Sequence, residues 1–286
     1  MKYIYGTIGY TILKNINFNN KIIILADMHD TLPNCTNQTS ISDWFKTKFK
    51  SSKILLEEVS REDLKLEELW SNSPHTQELK KLFINNPQLI HAIDIRPQLI
   101  PFSWELITKI ENDISLKNYI NDIDKFFCLK LTYFIKKIAN YNKNKLPHTK
   151  LGKHFMIIKK KYGIFIQKYK NYINYTIKQI YLKKLEILYQ LNDILDEIME
   201  WYICANIILN ESQPIILHTG LIHSEKVIKW LITHYNYITV YKYGINSIDK
   251  ITFEKKQSFF PNELPNMSGC IQLPMDIDKQ FGGFFN

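Results

Sequence analysis

The sequence predicts an α/β protein, a mostly parallel sheet with flanking helices, split by a large helical insertion. Three observations carry that expectation. Short aliphatic runs recur at 22–27, 53–59, 88–96, 214–219 and 236–243, the pattern of strands buried on both faces. Helical patterns separate them, as in βαβ units with right-handed crossovers. Between about 98 and 209 only helical spacing is left. The expected organisation is a discontinuous core over 1–97 and 210–252, an insertion over 98–209 and a tail over 253–286.

Residues 2–13 alternate loosely and predict an edge strand or hairpin before the first core strand. After that strand comes a loop with Pro33, Asn34 and Asn37. Ser40 or Ser42 then caps a helix whose Ile41, Trp44, Phe45 and Phe49 share a face. A second strand ends in Glu57 and Glu58, helices are expected at 61–70 and 76–84, and a third strand stops before Pro97. In the middle, Phe127 to Ile138 keep helical spacing, 141–153 breaks it, and 154–209 is too long for one helix, so a break is expected near Gly163 or Asn192. A strand at 214–219, a helix to about His234 and a last strand follow. The tail is apolar and punctuated by Pro261, Pro265 and Pro274; with no period, it either wraps the core or docks on a protein partner.

A chain of 286 residues with 45% hydrophobic content can bury a full core. Basic residues outnumber acidic ones 37 to 28, a formal charge of +9, but Arg61 and Arg96 are the only arginines. Nucleic-acid readers depend on arginine forks, so a nucleic-acid partner is not expected. Abundant Lys, Ile, Asn and Tyr are what an AT-rich genome imposes, which accounts for the charge without function. Cys35, Cys128, Cys204 and Cys270 form no CxxC or zinc knuckle, and a reduced compartment is expected. No signal-peptide core opens the chain and no run approaches the roughly 20 apolar residues of a membrane span. The expectation is a soluble, cytoplasmic or intracellular protein, in a host cell or virion if the source is a virus.

Parallel strands would gather Asp27 and His29, Glu57 or Glu58, Asp94 and Arg96, and His218 and His223 at their C-terminal edge. Two imidazoles with carboxylates are the donors of Mn, Co, Fe or Zn, and His29, Glu57 and His223 are the expected metal ligands. The same groups can serve as base, acid and clamp without metal. His29 and His223 are expected at helix N-termini, where the dipole keeps the ring neutral. His218, inside its strand, reads as a buried hydrogen-bonded partner. His75, His91, His148, His154 and His234 read as surface or core residues, and Asp94 with Arg96 can equally be a buried ion pair.

Ala26-Asp-Met-His29 and Gly220-Leu-Ile-His223 resemble the paired G-x-x-H motifs of the superfamily that joins erythromycin esterases, ChaN-like haem-associated lipoproteins, and the TraB and Tiki proteins. Glu57 resembles its second-strand glutamate, and Asp94-Ile-Arg96 its acid followed by an arginine. The resemblance covers about 20–96 and 213–243. Two positions depart from it: Ala26 stands for the motif glycine, and Asp27, one methylene shorter, for the esterase glutamate. The resemblance implies a hydrolase site, used by Tiki-type members as metal-dependent peptidases and by the esterases to open a lactone with histidine-activated water; ChaN-like members bind haem.

The expected function is therefore activation of water for attack on an ester or amide carbonyl of a small-molecule or peptide substrate, with or without a divalent metal. His29 is the expected base or ligand, Glu57 its orienter or a second ligand, His223 the other ligand or acid, and Asp27 a further base. Arg96 is expected on the oxyanion with Asp94 holding it. The competing expectation is an inactive member of the fold that acts as an interaction or structural protein, its aromatic tail docking a partner.

Overall fold

A computed structural model of the chain describes residues 2–17, 21–29, 32, 38–59, 73–96, 115–125, 146–210, 213–250 and 270–282. In chain order its elements are β1 (Lys2–Tyr5), β2 (Gly9–Asn15), β3 (Lys21–Asp27), β4 (Gln38–Ser40), α1 (Ile41–Lys46), β5 (Lys53–Val59), α2 (Pro74–Asn85) and β6 (Ile90–Asp94). There follow α3 (Leu116–Lys125), α4 (Leu146–Lys168), α5 (Ile177–Lys183), α6 (Leu185–Leu209), β7 (Ile215–Gly220), α7 (Leu221–Tyr235), β8 (Tyr237–Gly244), β9 (Cys270–Leu273) and α8 (Met275–Gln280). The chain divides into one unit of Met1–Glu58, Leu64–Ile93 and Asn206–Asn286, and a second of Val59–Asp63 and Asp94–Ala205.

The first unit is built on a six-stranded sheet of order β6-β5-β7-β3-β2-β8. β7 runs parallel to both β3 and β5. β3 and β7 are buried almost end to end, which is why they read as unbroken aliphatic runs. The last two positions depart from the expected parallel pattern, because β2 pairs antiparallel with β3 and with β8. Residues 2–13 are not one edge strand: β2 joins this sheet, while β1 centres a second sheet of order β4-β1-β9. Strands of three and four residues leave too little alternation to be read in advance.

Local signals explain the helices that pack here. Ser40 caps α1 by accepting from Asp43 N at 3.1 Å, and Ile41, Trp44 and Phe45 are buried. α2 starts two residues before the expected position, because Pro74 takes a first-turn site where no amide is needed. The helix expected at 61–70 lies outside the described residues, as does the Phe127–Ile138 pattern. Residues 270–282 of the tail are regular after all and fold onto their own unit. Trp44 Nε1 donates to Asp278 Oδ1 at 2.8 Å, and the buried Lys48 ammonium pairs with the same oxygen at 2.5 Å. Ser51 and Ser52 hydroxyls donate to Phe281 O, and the Phe281 ring is fully buried. Wrapping is thus the fate of this part of the tail; 251–269 and 283–286 lie outside the described residues.

In the second unit, Phe155 packs on Trp201 at a ring separation of 5.1 Å, and Trp201 Nε1 donates to Leu151 O at 2.9 Å. Tyr162 OH donates to Ile120 O at 3.1 Å. The expected breaks at Gly163 and Asn192 do not occur, as both lie inside helices. The chain breaks instead over 169–176, where Thr176 and Gln179 form a reciprocal capping box that starts α5. Nor is 141–153 a break throughout, since α4 begins at Leu146 with Pro147 tolerated in its first turn. Cys204 is a buried free thiol in α6, whereas Cys270 is disulfide-bonded, unlike the all-reduced set expected. Among the described residues no helix is long and apolar enough to cross a membrane.

Candidate active site

Three strands of the first sheet end at one level. The parallel register sets Asp27 of β3 beside Gly220 of β7, and Leu56 of β5 beside His218 of β7. Polar residues following each aliphatic run are therefore delivered to one edge, where open α/β sheets bind ligands.

Asp27 closes β3 with no exposed surface. Its Oδ1 accepts from Met28 N at 2.7 Å and from His75 Nε2 at 2.9 Å, while Oδ2 faces His29 Nδ1 at 3.1 Å. Folding His29 back over a residue two positions upstream takes a left-handed backbone, φ +56°. That conformation costs a side-chain-bearing residue about 1–2 kcal/mol, a strain that persists because the ion pair holds it. Ala26 has no positive φ, so alanine in place of the motif glycine is unstrained.

The other ring nitrogen, His29 Nε2, stands 3.5 Å from Glu57 Oε2 of β5. Glu57 is fixed in turn by Thr219 Oγ1 and Gly220 N, each donating to Oε2 at 2.6 Å. Its Oε1 stands 3.8 Å from Nε2 of His223 in the first turn of α7. Gly220 is the N-cap of α7, so the carboxylate lies at the end of the helix that favours negative charge. A Cβ on Gly220 would come within 3.0 Å of His29 Nε2 and 3.5 Å of Glu57 Oε2. A side chain at the first position of Gly220-Leu-Ile-His223 would therefore crowd the His29 ring.

Electrostatics follow from the packing. Burial works against a charged His29, but the Asp27 charge and hydrogen bond, with Glu57 opposite, raise its pKa well above the ordinary value. Burial also works against a charged Asp27, and is outweighed by the His29 charge and by hydrogen bonds from His29 and His75, so its pKa lies well below the carboxylate range. Burial pushes the His218 pKa down; its Nε2 bonds Gly6 O at 3.1 Å, the buried-partner role expected of it. A small cleft beside these groups is lined by His29, Glu57, Glu58, Thr76, Lys80 and His218, with Leu56 and Leu79. Burial lowers the pKa of Lys80, with Glu58 opposing.

Comparison with protein-family models, curated proteins and solved structures finds no match.

Of the expected residues, Asp27, His29, Glu57 and His223 come together in the first unit. Asp94 and Arg96 meet each other in the second: Arg96 Nε and Nη2 donate to the two Asp94 oxygens at 2.9 and 3.0 Å, and Nη1 donates to Asp196 Oδ1 at 2.7 Å. Two expectations change. His29 is not at a helix N-terminus, since the next described helix is α1 at Ile41, and its carboxylate neighbours favour the imidazolium rather than the neutral ring. The expected base Asp27 has no exposed surface and faces His29.

His75 was missed. It is fully buried in the first turn of α2, with Nε2 on Asp27 and Nδ1 lacking a hydrogen bond. The one local signal was Ser73-Pro74-His75, a helix start that aims a first-turn side chain inward; the partner 48 residues away gave none.

Two imidazoles and a carboxylate are the right donors for a divalent metal, and the 3.5 and 3.8 Å separations approach the edge of a shell with roughly 2.0–2.2 Å bonds. Among the described residues, however, no group of three or more such side chains stands at ligand spacing.

Proposed function

We propose that the protein is a hydrolase that activates water for attack on an ester or amide carbonyl of a small-molecule or peptide substrate. The observation that supports it is His29, with one ring nitrogen held by a buried carboxylate and the other facing Glu57 in a cleft. In this reading a water is deprotonated by Glu57 Oε1 or His223 Nε2, which lie 3.8 Å apart. The hydroxide adds to the carbonyl carbon, and the imidazolium of His29 gives its Nε2 proton to the leaving oxygen or nitrogen as the acyl bond breaks. Asp27, with His75 behind it, keeps the ring oriented and charged. Arg96 and Asp94 are assigned no step.

The resemblance of Ala26-Asp-Met-His29 and Gly220-Leu-Ile-His223 to paired G-x-x-H motifs supports the same class. We also propose that the helical segment is an insertion into the α/β core and that the setting is intracellular. A divalent metal on His29, Glu57 and His223 is the alternative activator, favoured by the donor set alone; stoichiometric Mn, Co, Fe or Zn in the purified protein would establish it. An inactive fold used for binding is the competing class.

The test is a screen of ester and amide substrates with the wild type and with His29→Ala, Glu57→Gln and His223→Ala. Each variant is expected to lose about 10²–10⁴-fold in kcat/KM with its circular dichroism unchanged. Full activity in all three variants would overturn the assignment.

A further inference from the structure

The two sides of α4 are both partly apolar. One stripe of the helix, Leu151, Phe155, Ile158, Tyr162 and Phe165, is buried. The opposite side carries three large, exposed apolar residues: Met156 is 61% exposed, and Ile157 and Ile164 are each 56% exposed. At helical spacing, Met156, Ile157 and Ile164 share one face, with Lys153 and Lys160 between them and Lys159 at its margin. The helix Leu146–Lys168 holds six lysines and no acidic residue. Lys161 and Lys168 are turned to Glu197 and Gln190, whereas Lys153, Lys159 and Lys160 are exposed and form no ion pair among the described residues.

Two costs are thus left unrelieved on one face: hydrocarbon facing water and three uncompensated positive charges. A surface with negative headgroups over an apolar interior relieves both. Nucleic acid would neutralise the lysines but offers nothing to Met156, Ile157 and Ile164, and the face carries no arginine to fork onto phosphate. A neutral protein groove would accept the apolar side chains and leave the charges. The helix is not apolar enough to cross a membrane; lysines set among exposed apolar side chains suit a boundary where anionic headgroups meet hydrocarbon.

We infer that the exposed face of α4 docks this protein on an anionic lipid surface. Met156, Ile157 and Ile164 enter the headgroup boundary, and Lys153, Lys159 and Lys160 pair with phosphate or carboxylate groups around them. The inference is independent of the hydrolase reading, because the His29 site lies in the other unit.

The experiment uses the full chain and sedimentation with vesicles of phosphatidylcholine alone or with a third phosphatidylserine. Binding is expected only to the serine-containing vesicles, and to weaken as salt rises through 0.15 M, where the screening length is about 8 Å. Met156→Asn/Ile157→Asn/Ile164→Asn and, separately, Lys153→Gln/Lys159→Gln/Lys160→Gln should each weaken it at least about tenfold, with the helical circular dichroism retained. Because both variants change only exposed positions, folding is not at stake. Equal binding to both vesicle types, no binding to either, retention in both triple variants, or salt-dependent binding to duplex DNA or RNA in place of vesicles would each overturn the inference.

Discussion

β3 and β6 close on the same pattern, an aspartate, an aliphatic or thioether spacer and a cation: Asp27-Met-His29 and Asp94-Ile-Arg96. Both aspartates are fully buried and both pair with the residue two positions on. The cation decides what each end can do. Arg96 spends Nε and Nη2 on Asp94 and Nη1 on Asp196, and a guanidinium does not titrate in the working range. His29 spends one nitrogen on Asp27, keeps the other toward Glu57 and the cleft, and can exchange that proton. One end ties Asp94, Arg96 and Asp196 together within the second unit, and the other is able to do acid–base work.

The largest effect should come from breaking the imidazole end electrostatically while keeping its shape. Asp27→Asn removes the charge that holds His29 protonated, and about a 100-fold or greater loss of kcat is expected. The pH profile gives the sign. If His29 acts as an acid, wild-type activity falls as pH rises through its raised pKa, and in Asp27→Asn that alkaline limb moves to lower pH. An unmoved limb would mean that Asp27 does not govern His29. Stability follows the same linkage. The His29 contribution is fully present below the ordinary value of 6.5 and is lost as pH rises through the raised folded value. The Asp27 contribution is present above 3.8 and is lost as pH falls through the depressed folded value. Melting of the wild type should therefore weaken on the alkaline side, and His29→Gln should flatten that slope.

Breaking the guanidinium end should cost stability and leave chemistry alone. Asp94→Ala removes the carboxylate that accepts from both Nε and Nη2 of Arg96, which is only 12% exposed; a loss of about 3 kcal/mol in urea unfolding is expected. Arg96→Met with Asp94→Leu, which replaces the pair by apolar groups, should cost less than Asp94→Ala alone. Turnover that fell in proportion to the His29 variants would show that the two ends are not separable in this way.

The difference between the two ends was only half legible in the sequence. Long aliphatic runs at 22–27, 53–59 and 214–219 gave β3, β5 and β7, and their shared register is what brings Asp27, Glu57, Gly220 and His223 to one edge. Which charges surround His29 was not legible, because His75 reaches Asp27 from 48 residues away and Thr219 reaches Glu57 from 162. Without those partners, a histidine after a strand looks like a helix-capping, neutral ring. The same limit hid β9 and α8, whose order comes from Asp278 and Phe281 meeting Lys48, Trp44, Ser51 and Ser52 rather than from any period of their own.

The smallest predicted effect, and the finest probe of the imidazole end, is a single methyl group. Gly220 has φ −54°, a value any residue adopts, so Gly220→Ala meets no backbone strain. Its Cβ would arrive 3.0 Å from His29 Nε2, tighter than ordinary contact, and His29 rather than the sheet backbone would have to yield. The ring can tilt by a few tenths of an ångström, which lengthens its approach to Glu57 without disturbing β7. A loss of about tenfold in kcat is expected, with stability changed by less than about 1 kcal/mol. Gly152→Ala is the control: its Cβ would meet nothing within 4 Å, and an alanine inside α4 should stabilise by about 0.5–1 kcal/mol without touching turnover. Equal kinetic behaviour of the two glycine variants would mean that the gap between His29 and Glu57 is not where the reaction is controlled.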